Sequence, residues 1–175
     1  MDFTQYWQGD GVLVIGIEAA MTRTEARLRI RLAVREAVAE WMNIAIDSVS
    51  VDSQPGHAPR LLVAGRAAWL SISHEDGISL AAMHLHGPVG IDVMRIVDIP
   101  DWYALARDYL GPQLAGELAA CPADRRALML AQAWTAREAA LKSAGLALTE
   151  WHGVTPACRL QAVPMPAAYM ATLAY

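Results

Sequence analysis

Trp134-Thr-Ala-Arg-Glu-Ala-Ala-Leu-Lys-Ser-Ala-Gly145 is the stretch on which the reading of this chain turns. It reads as a helix in which Glu138 and Lys142 stand one turn apart and share a face. Lys142 is the single lysine among fourteen basic side chains, the others all being arginine. A carboxylate and an ammonium so placed form either a surface ion pair or a metal ligand beside a phosphate contact. The flanking sequence bears on that choice.

The helix is expected to run from about 123 to 145, after shorter helices at 101–110 and 113–119. Before these comes a strand, Val89–Val93. In it Val89, Ile91 and Val93 point one way, and Gly90, Asp92 and Met94 the other. An aspartate in an apolar strand is out of character, and Gly90 beside it leaves room for close approach. Asp92 is either solvated or bonded to a turn, or it is a ligand for a hard cation. Magnesium takes one or two carboxylates and completes its shell with water and phosphate oxygens; Glu138 is the natural second carboxylate.

Further upstream, Trp69–Ser73 and Ile78–Leu85 read as strands on either side of a turn at Gly77. His74, at the end of the first, is either a core or capping histidine or an anion contact at a strand edge. Arg60 and Gly65-Arg66 precede it as loop charges or diphosphate contacts. Gly11–Ile17 is a short apolar run that predicts a buried strand. Thr22 or Thr24 can cap a helix reaching about Met42, with Leu28, Leu32, Val34, Val38 and Trp41 supplying much of its apolar face. Asp47–Val51 alternates as a half-buried strand would, 54–59 is a loop, and strands are expected at about 157–163 and 168–174. His57, His84, His86 and His152 have no context like that of His74 and read as structural or surface residues. The order suggests an α+β protein of two similar halves, 1–86 and 87–175.

Composition narrows the function classes. With 55% apolar and 18% charged residues, the chain can bury a sizeable core. A net charge of -4 provides no global basic field for nucleic acid. Arg23, Arg27, Arg29, Arg31 and Arg35 nevertheless crowd one segment, facing either solvent or a phosphate. Cys121 and Cys158 suggest neither a disulfide framework nor a zinc site. No signal peptide or membrane span is apparent, so a soluble cytoplasmic protein is expected. Walker and Rossmann glycine loops are missing.

Taken in order, Pro59-Arg-Leu61, Ser71-Ile-Ser-His74, Gly90-Ile-Asp-Val-Met94 and Trp134–Gly145 resemble the motifs of the 4'-phosphopantetheinyl transferases, and most closely the Sfp-type branch. The resemblance spans residues 59 to 145. It implies a monomer of two pseudo-symmetric α+β subdomains with the active site between them. The implied reaction moves the 4'-phosphopantetheine arm of coenzyme A to a serine of an apo acyl or peptidyl carrier protein, with magnesium bridging the diphosphate. Adenosine 3',5'-bisphosphate is the other product. By the same resemblance Asp92 and Glu138 hold the metal, and Glu138 serves as general base. Lys142 contacts the CoA phosphates and stabilises charge, His74 contacts the 3'-phosphate with Ser73 beside it, and Arg27 lies near the CoA contacts.

Departures from the family pattern are visible. Met94 stands where a second acidic residue is usual, although some members also carry methionine there. Arg137 replaces the first lysine of the helix motif, and Ala147 a glycine. Ala58 stands where a lysine precedes Pro59, leaving Arg60 or Arg66 to substitute. Glu75 replaces a serine or threonine after the histidine and brings a negative charge toward the CoA site. Met94 and Glu75 motivate an alternative, a CoA-binding relative without transfer activity that acts as a binding or regulatory module. A third reading is an unrelated α+β domain in which Glu138 and Lys142 are a helix-surface pair worth about 0.3–0.5 kcal/mol.

Overall fold

The computed structural model describes residues 3–18, 22–52 and 58–175. His57 and most of the loop expected at 54–59 lie outside the described residues. Among the described residues the fold is mixed α+β, with antiparallel sheets and four α-helices. The first sheet has six strands: β1 (Thr4–Gly9), β2 (Val12–Glu18), β3 (Val49–Asp52), β4 (Arg60–Val63), β5 (Arg66–Glu75) and β6 (Ile78–His84), in the order β1-β2-β6-β5-β4-β3. The second has three: β7 (Gly90–Arg95), β8 (Leu160–Val163) and β9 (Tyr169–Ala174), in the order β7-β9-β8.

Strand β2 explains the layering. Its run VLVIGIE is buried on both faces from Val12 to Ile17. Leu13, Ile15 and Ile17 pack toward helix α1 (Arg23–Met42), together with Ile30, Val34 and Val38. Val12 and Val14 face the other way, onto Ile91, Val93, Ala171 and Leu173 of the second sheet. Each fully buried aliphatic side chain contributes about 1.5–3 kcal/mol relative to exposure. Helix α4 (Ala123–Ser143) then covers the far side of the second sheet. The Thr135 and Thr172 hydroxyls, 2.8 Å apart, tie it to β9. The order of layers is α1, six-stranded sheet, three-stranded sheet, α4.

Local signals account for the helix ends. Thr22 caps α1 through a reciprocal box: Glu25 N donates to the threonine hydroxyl, and Thr22 N donates to the Glu25 carboxylate. Asn43 closes the helix in the left-handed region at φ 52°. The inward stripe of α1 differs from the expected one. Ala26, Ile30, Ala33, Val34, Ala37 and Val38 are buried, whereas Leu28 is 59% exposed. The alanines let the helix lie close to the sheet, and Leu28 falls on the opposite side of that stripe.

Other elements shift for identifiable reasons. Strand β1 (TQYWQG) is polar, lies at the sheet edge and carries an irregularity between Gln5 and Trp7, so no apolar alternation announces it. Strand β4 is only four residues long. Residues 46–48 form a 3-10 turn, and the strand expected from Asp47 starts at Val49. The helix expected at 101–110 is a short α2 (Trp102–Leu105) continued by a wider π-type turn, Ala106–Leu110. Helix α3 (Pro112–Ala120) follows, and Leu110, Leu118 and Leu130 form a small third cluster with Trp102 and Trp134. Tyr103 in that segment is 49% exposed and not core. No helix among the described residues is long and apolar enough to cross a membrane.

Candidate functional site

Strands β5 and β7 run side by side at the junction of the two sheets, joined by side chains rather than a backbone ladder. Ile91 N donates to Ser71 Oγ at 3.1 Å, Val93 N to Ser73 Oγ at 3.3 Å and Arg95 N to Glu75 Oε2 at 3.3 Å. The period of two along both strands puts each rung on the same side. Glu75 thereby acquires a role that its charge alone does not suggest. Its carboxylate accepts from the backbone of Asp76 at 2.8 Å as well as from Arg95.

Asp92 sits between the rungs, facing α4 and only 7% exposed. Its Oδ1 accepts from Ser73 Oγ at 2.8 Å and from Lys142 Nζ at 2.7 Å. Lys142 Nζ also donates to the Ile91 carbonyl at 3.1 Å and to Ser73 Oγ at 3.4 Å. The lysine therefore bonds across to the strand, and Glu138, one turn earlier, has no such bond with it. The helix-surface pair is not formed. Burial pushes the Asp92 carboxyl above the usual carboxylate range, opposed by Lys142 and by the Ser73 hydrogen bond. Burial also pushes half-buried Glu138 up, reinforced by the negative charge of Asp92 and opposed by Lys142 and Arg137.

Close approach of α4 to β7 makes this possible. A Cβ on Gly90 would lie 2.0 Å from the Ala139 carbonyl oxygen and 2.6 Å from Ser143 N. Only glycine lets the helix seat there, so Glu138 and Lys142 reach the Asp92 face. Two carboxylates that destabilise each other as anions supply hard oxygen donors of the kind a divalent cation takes. Met94, the next residue on that face, offers only a thioether, a poor partner for such an ion. No group of three or more His, Cys, Asp or Glu converges among the described residues. The donor set fits a cation that keeps water or phosphate oxygens in its remaining positions.

His74 lies on the opposite face of β5, beneath α1. Its Nδ1 is 2.8 Å from Ser79 Oγ, and it lines a polar cavity of about 290 Å³ with Arg23, Asp76 and Gly77. Burial pushes the imidazole down to about 4, reinforced by Arg27, Arg23, Lys142 and Arg31. Arg23, Arg27 and Arg31 are spaced one helical turn apart, so three of the four cations acting on His74 form one stripe of α1, and Lys142 of α4 is the fourth. The sequence placed all three arginines in a basic segment facing either solvent or a phosphate, and the resemblance set only Arg27 near the CoA contacts; the spacing of four is the signal that groups it with the other two.

A second cleft, about 360 Å³, opens between β4, β5 and the end of α4, lined in part by Pro59, Arg60, Trp69, Pro88, Lys142 and Gly145. Arg60 thus shares a cavity with Lys142, whereas Arg66 lies at the β4–β5 turn opposite Val63. Trp69, 43% exposed in this cleft, is an aromatic wall that sequence pattern did not single out. Arg137 turns away from Asp92. Its guanidinium stacks 4.8 Å from the centre of the Trp151 ring, and Nη2 donates to the Thr149 carbonyl at 3.2 Å. Ser73, Asp92 and Lys142 form one hydrogen-bonded cluster with Glu138 beside it; His74 and Arg27 lie across β5, and Arg60 across the cleft.

Residues 88–162 match the family model described as the 4'-phosphopantetheinyl transferase superfamily (ACPS). That stretch contains Asp92, Glu138 and Lys142; Ser73, His74, Arg27 and Arg60 precede it. A protein of Synechocystis sp. (strain ATCC 27184 / PCC 6803 / Kazusa), named as a "putative 4'-phosphopantetheinyl transferase", is 27% identical over 119 residues. The alignment covers 67% of this chain and 48% of that relative, so the chain spans about half of the relative's length.

Proposed function

We propose that this chain transfers the 4'-phosphopantetheine arm of coenzyme A to a serine hydroxyl of an apo acyl or peptidyl carrier protein, as a cytoplasmic monomer of the Sfp-type branch. One observation carries the reading. A buried strand aspartate ion-paired with Lys142, and a half-buried glutamate one helical turn from that lysine, lie together within the superfamily-matched segment.

In this reading the serine oxygen attacks the phosphorus that bears the pantetheine arm. The bond from that phosphorus to the bridging oxygen breaks, and adenosine 3',5'-bisphosphate leaves. Phosphoryl transfer of this kind is chiefly positioning and electrostatics. Asp92 and Glu138 would hold the magnesium ion, which when bound neutralises charge on the diphosphate. Glu138 accepts the serine proton, directly or through water; its raised carboxyl places it nearer the operating pH than an ordinary glutamate. Lys142 stabilises the negative charge that gathers on the departing oxygen. His74, with Arg23 and Arg27, fits the 3'-phosphate, and Arg60 fits the nucleotide side of the cleft it shares with Lys142.

A second reading, a CoA-binding relative without transfer, has Met94 in its favour. Glu75 also favours it, since it lines the cavity of His74, although its oxygens accept from backbone donors as well. Incubating the protein with CoA, magnesium and a panel of apo carriers, then weighing the carriers by mass spectrometry, separates the two. A pantetheine adduct is expected, and Glu138→Gln is expected to abolish it while circular dichroism stays unchanged. No adduct on any carrier, with CoA still bound, would establish the second reading. Wild-type turnover by Glu138→Gln would overturn the base and metal assignment.

A further inference from the structure

We infer that Lys142 is a latch: its ammonium holds Asp92, and a divalent cation and the CoA diphosphate enter by exchanging partners with that pair. The inference rests on the reading of Asp92 and Glu138 as the metal's carboxylates, and adds how that site is kept before it is filled.

An ammonium has three N–H donors and no acceptor. Lys142 directs them at Asp92 Oδ1 (2.7 Å), the Ile91 carbonyl (3.1 Å) and Ser73 Oγ (3.4 Å). All three partners belong to the β5–β7 junction, so none of the donors is free for a phosphate. Glu138 lies one turn away on the lysine's own helix, yet the lysine reaches across to the strand. Ser73 is the positioning residue of the latch. Its hydroxyl donates to Asp92 Oδ1 and accepts from Val93 N, fixing the carboxylate against β7.

Each ligand alone meets a penalty. A cation that takes Asp92 by itself must share or displace a carboxylate already held by an ammonium, in a pair whose side chains are 9% and 29% exposed, and it meets that ammonium's like charge. A diphosphate arriving alone finds the ammonium engaged and two carboxylates repelling it. Arriving together, they let Asp92 trade the ammonium for the cation and Lys142 trade the carboxylate for phosphate oxygens, with no charge left unpaired. Binding of the two is therefore coupled, and by linkage each raises the affinity for the other by the same factor, about 5–150-fold for typical couplings.

Manganese is a paramagnetic probe for the cation, and its binding to the full chain can be followed by electron paramagnetic resonance with and without CoA. Wild type is expected to bind it weakly alone and at least about fivefold more tightly with CoA. Lys142→Met is expected to bind manganese alone several-fold more tightly than wild type and to lose most of the CoA enhancement. Ser73→Ala, which keeps the ion pair and removes one strut, is expected to shift manganese affinity in the same direction by less. This second variant keeps the test decisive if Lys142→Met does not fold. Manganese binding that Asp92→Asn abolishes, but that neither CoA, Lys142→Met nor Ser73→Ala alters, overturns the latch and leaves the metal site standing. No manganese bound by any form, with or without CoA, overturns the metal reading and the latch with it.

Discussion

His74 shows how a single side chain reports its surroundings. Packed under the Arg23–Arg27–Arg31 stripe, it is pushed from 6.5 down to about 4, first by burial and then by those cations. Between those two values the unfolded chain binds a proton that the folded one refuses. Stability tied to His74 is therefore fully present above pH 6.5 and is lost as pH falls toward 4. Asp92 and Glu138 run the other way, since their raised carboxyls take up protons in the folded state first. Comparing urea midpoints of wild type and His74→Asn at pH 7, 5.5 and 4.5 isolates the histidine. Wild type is expected to lose more stability across that range than the variant; parallel losses would mean that His74 is not held neutral by the fold. Arg137 teaches a different lesson at this scale. Its planar guanidinium stacks on Trp151 and bonds the Thr149 carbonyl, a geometry that a lysine cannot reproduce. In this chain the first basic residue of the helix motif anchors the loop after α4 and does not reach the carboxylates.

Among the elements, the contact of α4 with β7 does most to set the site. Because a Cβ on Gly90 would fall 2.0 Å from a backbone oxygen of the helix, Gly90→Ala must push α4 outward. A loss of about 3 kcal/mol or more is expected in chemical denaturation, at the upper end of overpacking costs, together with loss of manganese binding. Unchanged stability would show that the helix can ride over the extra methyl. This contact was legible in the sequence, since glycine beside an aspartate in an apolar strand signals both close approach and a placed charge. The spacing of Glu138 and Lys142 was legible for the same kind of reason, because helical periodicity is local. What the sequence could not disclose was the choice of partner. Lys142 leaves Glu138 for Asp92 fifty positions away, a choice set by burial and by three acceptors that converge only in the folded chain. The structural part played by Glu75 was hidden on similar grounds: the fold uses its oxygens for the backbone of β7 and of the adjoining turn, while the residue also lines the cavity of His74. Strand β1 escaped notice because a polar edge strand carries little periodic signal.

At the scale of the molecule, the two sheets are fastened on both sides of the site. Asp10 of the β1–β2 turn accepts from Arg159 at 2.7 Å and from Tyr175 at 3.3 Å. The β5–β6 turn is held by Arg95 and Tyr169, both of which donate to the Asp76 carbonyl. The Asp10 pair is exposed and worth about 0–1 kcal/mol, so it is the buried contact of Val12, Val14, Ile91 and Leu173 that makes the junction firm. In the proposed exchange of partners it is therefore side chains that must move, above all one amine. That amine has a practical consequence. In 175 residues there is a single ε-amino group, and it stands at the centre of the proposed chemistry. For this chain an amine-selective acylating reagent is in effect a reagent for that centre. Intact-mass measurement is expected to find one side-chain adduct besides any on the terminal amine, with transfer lost in step with that adduct. Transfer that persists after Lys142 is fully acylated would contradict its assigned role. Lysine-poor composition thus turns an ordinary protein-labelling reaction into a titration of working sites.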